Sequence, residues 1–255
     1  MSALRPALIL AGLIALWQAV VWATGAPPYI LPGPAAAARA WIANGELIAR
    51  HGALTLAEIL LGLVVGVTFG GASAVVIAYF RPVRRWLLPV LVISQAIPVF
   101  ALAPVLVLWI GYGMASKVVM ASLIIFFPVA ASFYDGLRRT EPGWLDLAET
   151  MNASRWSTLR QVRIPAALPS LASGLRVAVA VAPIGAVVGE WVGSSAGLGH
   201  LMLHANARLQ VDLMFAALAT LALIALTLYF AVDQALRRAL PWIPETSFEP
   251  ERGRS

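Results

Sequence analysis

The chain holds few residues that do covalent chemistry. It has no cysteine, which removes thiol nucleophiles, disulfides and thiolate metal sites. Its three histidines, His51, His200 and His204, do not fall in an HExxH or comparable metal-ligand spacing. The sequence contains no P-loop, so it has no Walker-type ATP site. What remains is a set of polar groups inside apolar sequence. Glu190, in "AVVGEWVG", stands out most. A carboxylate near the end of an apolar span is costly unless it meets water or a partner. Two readings stay open: a residue facing a cavity or gate, or a surface carboxylate at the membrane boundary beside Trp191, an interfacial aromatic. Glu58 poses the same choice and is expected at the boundary. Ser94 and Gln95, next to Pro98 in "SQAIPVFALAP", either line a cavity or bond adjacent backbone. No catalytic residue and no metal site is expected. A membrane enzyme would need clustered Asp, His or Glu, and a stand-alone secondary transporter would need paired intramembrane charges or an inverted repeat. The sequence displays isolated acids and no convincing repeat.

These groups must be positioned by membrane helices. Of 255 residues, 60% are hydrophobic and 12% charged, against about 25% charged in soluble domains. A membrane helix needs about 20 mostly apolar residues. Six candidate spans result: 4–24, 54–80, 86–110, 117–137, 171–192 and 213–236. The first is expected to be a retained helix, because its apolar core is long and no clean A-x-A cleavage site follows. Placing the N-terminus inside puts Arg5, Arg81, Arg84, Arg85, Arg138, Arg139, Arg155, Arg160, Arg163, Arg176, Arg237, Arg238, Arg252 and Arg254 on the cytoplasmic side, fourteen of the 18 Lys and Arg. Arg39, Arg50, Lys117 and Arg208 stay outside. Basic residues favour cytoplasmic loops, so both termini are expected inside. The net charge of +6 then reflects membrane lipid and orientation, not nucleic acid. Outside the membrane, residues 35–44 can form a surface helix, and the 193–212 loop begins with flexible or tightly turned glycines, Gly193, Gly197 and Gly199. The expected organisation is an N-terminal helix with its external connection (1–53), a five-helix core (54–240) and a polar tail (241–255).

Within the spans, Gly62, Gly66 and Gly70 recur every four residues and share one helix face. Small residues at this spacing allow close helix approach, within a bundle or at a dimer interface. Pro98, Pro104, Pro128 and Pro183 each remove a backbone hydrogen bond and favour kinks around a cavity.

One segment is polar: "LDLAETMNASRWSTLRQVRIPAALPS", residues 145–170. Thr140 can cap a helix with Pro142 in its first turn. Trp144, Leu145, Ala148 and Met151 share an apolar face. Asn152 tolerates the left-handed conformation that ends helices. Ser154 can cap a second short helix, which Pro165 is expected to end. The result is a two-helix bracket outside the membrane, and residue chemistry alone leaves open whether it meets a protein or lipid headgroups.

The segment resembles the EAA loop of ABC importer permeases, whose pattern is Glu-Ala-Ala, three residues, Gly, nine residues, Ile-x-Leu-Pro. Asp146, Leu147 and Ala148 fall on the first three positions, Asn152 on the glycine, and Val162, Ile164 and Pro165 on the end. Asp, Leu and Asn replace Glu, Ala and Gly. The resemblance spans nearly the whole chain and implies an all-α, polytopic, type I importer permease fold with a coupling helix between spans four and five. It further implies that Asp146, Leu147, Ala148, Glu149, Asn152, Ala153, Arg155 and Pro165 dock on separate ATPase subunits that carry ATP and Mg, while this chain binds no cofactor. The other implied partners are a second permease chain, forming a homodimer, and an external substrate-binding protein, in the inner membrane. Ser94, Gln95, Pro98, Glu190 and Trp191 would belong to the pathway or its gate. The chain is most similar to the sulfonate, taurine and nitrate subgroup. Within it, "VISQAIPVFALAPVLVLWIGYGMASK" and "APIGAVVGEWVGSSAGLGHLM" look most like hydroxymethylpyrimidine permeases, which import a thiamine precursor.

Overall fold

Long apolar runs form helices because, in lipid, every backbone polar group must find an internal partner. The computed structural model describes residues 4–94 and 98–242. They form α1 (Leu4–Thr24), α2 (Pro34–Ala43), α3 (Gly45–Tyr79), α4 (Arg81–Ser94), α5 (Val99–Ile110) and α6 (Met114–Arg138). Then follow α7 (Pro142–Thr150), α8 (Arg155–Thr158), a π-helical turn (Leu159–Arg163), α9 (Ile164–Gly193), α10 (Leu198–Ala207) and α11 (Val211–Ala239). Four rods among the described residues are long and apolar enough to cross a membrane: Gly45–Tyr79, Met114–Arg138, Arg155–Gly193 and Val211–Ala239. Leu8–Thr24 and Val99–Ile110 are shorter apolar helices.

The helix α6 is the spine, with α3 on one side and α9 on the other. Glycine makes both contacts close. A Cβ added at Gly62 would lie 2.6 Å from Ala121 Cβ, one at Gly66 2.7 Å from Ile125 Cγ2, and one at Gly70 2.8 Å from the Phe126 carbonyl oxygen. The glycine seam therefore meets α6 of the same chain. On the other side, a Cβ at Gly174 would come within 2.7 Å of Ser132 Cβ, and one at Gly185 within 2.7 Å of Ala121 Cα. Ile59, Ala121, Ile125, Val129, Ala178, Ala182 and Ala186 fill this centre. Lipid accepts apolar side chains as readily as a helix does, so close shape matching rather than burial holds the rods together, and small residues set the packing distance. The helix α1 leans on α11 through Trp17 and Phe215, whose ring centroids are 5.4 Å apart. The Trp41 indole of α2 donates to Thr220 Oγ1 at 3.0 Å.

Two expectations are corrected. Residues 86–110 do not form one kinked helix: α4 ends at Ser94 and α5 starts at Val99, with Pro98 extended at its N-cap. Pro98 has no amide hydrogen to carry a helical ladder, and its extended ψ puts a helix start where a kink was expected. Gln95 and the Ser94 side chain lie outside the described residues. Pro165 does not end the bracket's second helix. The π-turn intervenes, the Ile164 amide bonds Leu159 O five residues back, and this wider turn carries the rod past the proline into α9. Pro104, Pro128 and Pro183 likewise sit inside continuous helices. The tight turn expected at the start of the 193–212 segment is present at Gly197, with φ 117°, and a ten-residue helix that the sequence did not indicate, α10, follows it.

Candidate functional site

Two regions at opposite ends of α6 gather polar and exposed groups. The first is the bracket. The helix α7 ends in a Schellman closure: Asn152 takes φ 54°, its amide donates to Glu149 O at 2.9 Å, and the Ala153 amide donates to Ala148 O at 2.9 Å. Asparagine here satisfies the orphan carbonyls that glycine satisfies in other helices. The Ser154 hydroxyl accepts from the Ser157 amide at 3.2 Å and starts α8. Thr140 does not cap α7; its hydroxyl donates back to Leu137 O at 3.2 Å, and Glu141 occupies the N-cap without a side-chain bond.

These local caps hold a groove of about 680 Å3 between α7 and the start of the α8–α9 rod, lined by Leu147, Ala148, Met151, Ala153, Val162, Pro165 and Trp242 among others. Ala148 is buried, but Leu147 is 60% and Met151 73% exposed. Asp146, Glu149 and Arg155 are also exposed. A stable helix with apolar side chains at its rim and charges beside them has the form of a docking element.

The second region joins four helices. On α3, His51, Thr55 and Glu58 recur at i, i+4 and i+7 and so share one face. The Lys117 ammonium, in the first turn of α6, donates to Glu58 Oε1 at 2.5 Å and to Ser194 Oγ at 2.9 Å. Glu190, at the end of α9, accepts from Thr55 Oγ1 at 2.6 Å and from the Gly199 amide at 2.5 Å, with the His200 amide at 3.4 Å. The Leu198 amide donates to Thr55 Oγ1 at 2.8 Å, and the Gly197 amide to His51 Nδ1 at 2.9 Å. Glu190 thereby occupies the positive end of α10, where free amides and the helix dipole favour an anion. Gly197 has φ 117°, and a Cβ there would collide with the Glu190 carboxyl. The rings of His51 and His200 stack with centroids 6.2 Å apart, and His204 follows 4.0 Å from His200. Burial, with the neighbouring His204 and His51 rings, holds His200 below the ordinary histidine value.

Glu58 is 0% and Glu190 1% exposed. Glu58 is therefore no boundary carboxylate, because Lys117 compensates its charge inside the protein. Glu190 is a buried helix clamp in this conformation, with both oxygens bonded, whereas its neighbour Trp191 is half-exposed. The acids that look isolated in sequence form a cluster in space, and an internal charge pair is present. Lys117, Thr55 and Ser194 escaped the sequence reading. The spacing of His51, Thr55 and Glu58 was the available signal, but their partners lie 59 to 146 positions away. Among the described residues, no group of three or more His, Cys, Asp or Glu is arranged to hold a metal. Pro98 is exposed at the helix break.

Comparisons with known proteins agree with this architecture. Residues 59–243 match the family model of the binding-protein-dependent transport system inner membrane component. A probable ABC transporter permease protein of Haemophilus influenzae is 59% identical, covering 92% of this chain and 96% of its own. A riboflavin transport system permease of Chloroflexus aurantiacus is 40% identical over 90% of this chain and 87% of its own. A formylaminopyrimidine transport permease of Halalkalibacterium halodurans is 36% identical over 94% and 96%. In fold, the chain is similar to a subunit of the MetNI methionine ABC transporter in an inward-facing conformation, with TM-score 0.67 at 20% identity, covering 76% of this chain and 97% of that one. An internal charge pair therefore does not mark a stand-alone carrier here: the chain belongs to the family of binding-protein-dependent transport system inner membrane components, as a non-catalytic ABC importer permease subunit whose ATP hydrolysis falls to a separate ATPase.

Proposed function

We propose that this permease imports a small nitrogen heterocycle of the thiamine-precursor class, and that residues 140–170 are the element through which ATPase subunits drive it. The observation that carries the coupling role is helix α7, closed at its C-terminus, with Leu147 and Met151 exposed beside the groove. The Schellman closure fixes the turn from α7 into α8 locally, and the continuous Arg155–Gly193 rod leads from the bracket into the bundle. Asp146, Leu147, Ala148, Glu149, Asn152, Ala153, Arg155 and Pro165 form the docking face or hold its shape.

In the same reading, α1 and the broken α4–α5 pair join the four long rods to give six crossings in the inner membrane. Both termini then lie in the cytoplasm, as the basic residues favour. The bracket is cytoplasmic, and α2 and α10 face the external binding protein. Two identical chains enclose the pathway, and alternating access moves the packed bundles around it. Ser94, Gln95 and Pro98 belong to the pathway at the helix break, and Glu190 with Trp191 to its outer end. ATP and Mg remain on the ATPase.

The heterocycle reading is supported by the riboflavin and formylaminopyrimidine permeases among its relatives, since riboflavin and formylaminopyrimidine are both nitrogen heterocycles. Reconstitution of the chain with its ATPase and binding protein tests it. ATP-driven uptake of labelled hydroxymethylpyrimidine, unaffected by taurine or alkanesulfonates, is expected. Uptake of taurine or an alkanesulfonate without pyrimidine uptake would replace the substrate assignment.

A further inference from the structure

The buried cluster does not balance its charge as drawn from side chains alone. The titratable groups that face it are His51 and Glu58 from α3, Lys117 from α6, Glu190 from α9, and His200 and His204 from α10. With neutral imidazoles, two carboxylates oppose one ammonium. An uncompensated charge buried in an apolar protein end is strongly unfavourable. The amides of Gly199 and His200 and the Thr55 hydroxyl supply dipoles to Glu190, but among the described residues no second cation bonds it. One atom also lacks a partner: Glu58 Oε2 is buried and makes no hydrogen bond, while Oε1 of the same group receives the Lys117 ammonium. Glu190 is the other carboxyl group facing Glu58, and Thr55, one turn before Glu58, already bonds it. An acceptor with nothing to accept, beside a second carboxylate, is completed by the smallest cation.

We propose that Glu58 and Glu190 form a proton-binding site, one proton residing on Glu58 Oε2 and being donated to the Glu190 carboxylate. The proton makes the cluster neutral and gives the orphaned oxygen a bond. It also ties α3 to α9 directly, next to the Glu58–Lys117 tie between α3 and α6. The outer ends of three spans, and α10 through the Glu190 clamp, thereby form one unit. Glu58→Gln is the fixed mimic of the protonated state, since its amide can donate to Glu190 while its oxygen accepts from Lys117.

Infrared spectroscopy of the full chain in an ester-free detergent at neutral pH reads the proton directly. One carboxylic-acid C=O band per chain is expected, shifting when glutamate is labelled with 13C at the side-chain carboxyl, and disappearing in folded Glu58→Gln. The other described glutamates, Glu46, Glu141 and Glu149, are exposed, so the labelled wild-type chain decides the question even if Glu58→Gln does not fold. Absence of an acid band, a band indifferent to glutamate labelling, or a band that persists in folded Glu58→Gln would each overturn the assignment.

Discussion

The two ends of α6 treat polarity in opposite ways. At the bracket, apolar Leu147 and Met151 stand in the open, while the polar work is done by backbone caps within a few residues. At the other end, Glu58, Lys117 and Glu190 are buried and bonded across four helices. Exposed apolar surface on a helix that its own turns hold in place is incomplete without a partner. A buried charge cluster is held by partners within the chain and breaks badly when one member is removed. One end is therefore built for an interaction outside the chain, and the other for rigidity inside it.

The sharpest break of this contrast comes from Lys117→Met, which leaves Glu58 and Glu190 without their cation. A loss of about 3–5 kcal/mol is expected, as for other buried pairs stripped of one partner, and thermal unfolding in detergent measures it. A loss below about 1 kcal/mol would mean that the cluster is open to water. Next in size is Leu147→Arg at the opposite end. It should weaken ATPase association by about 2 kcal/mol, roughly thirtyfold, as an interface anchor does, while unfolding stays within about 0.5 kcal/mol of wild type. Pull-down and unfolding on the same sample separate the two effects.

Between the ends, Gly66→Ala tests the spine. Its Cβ would meet Ile125 and the Ser122 carbonyl at 2.7–2.9 Å, and such overpacking costs about 1–3 kcal/mol. Smaller again is Asn152→Val, which places a β-branched residue at φ 54° and is expected to destabilise α7 by about 1–2 kcal/mol, whereas Asn152→Gly is near neutral. Proteolysis of the bracket against unfolding of the whole chain shows whether the damage stays local.

The mildest effect is pH-dependent. His200 resists protonation in the folded state because of burial and the facing His204 and His51. Below the ordinary histidine value of about 6.5, the unfolded chain binds a proton that the folded chain accepts less readily. Stability contributed here is present at higher pH and declines as pH falls through that value and towards the lower folded one. His200→Gln should flatten the acid side of the stability profile relative to wild type, and an unchanged profile would remove His200 from the acid response.

The same contrast explains what was legible in the sequence. The left-handed turn at Asn152 and the Ser154 cap depend on residues within one or two helical turns, so type and spacing were enough. The glycine stripe was visible for the same reason, but its partner was not: only the fold brings α6 to it. The break at Pro98 was readable as a kink and not as a new helix start, because proline alone does not set how far the chain departs. The buried cluster was least legible. Glu58, Lys117 and Glu190 each sit alone among apolar neighbours, and only the packing of α3, α6 and α9 makes them one site. The α10 helix was hidden by the glycines at its start, which serve Glu190's approach to its N-terminus.

The most direct test of the coupling role uses the absence of cysteine. Single-cysteine variants Leu147→Cys, Met151→Cys and, on α10, Leu203→Cys each carry a photo-cross-linker in the assembled transporter. All three positions are exposed. The two bracket positions are expected to cross-link to the ATPase subunit and the α10 position not to. Cross-linking to the ATPase from Leu203→Cys, with none from Leu147→Cys or Met151→Cys, would contradict the assignment of the bracket as the coupling element.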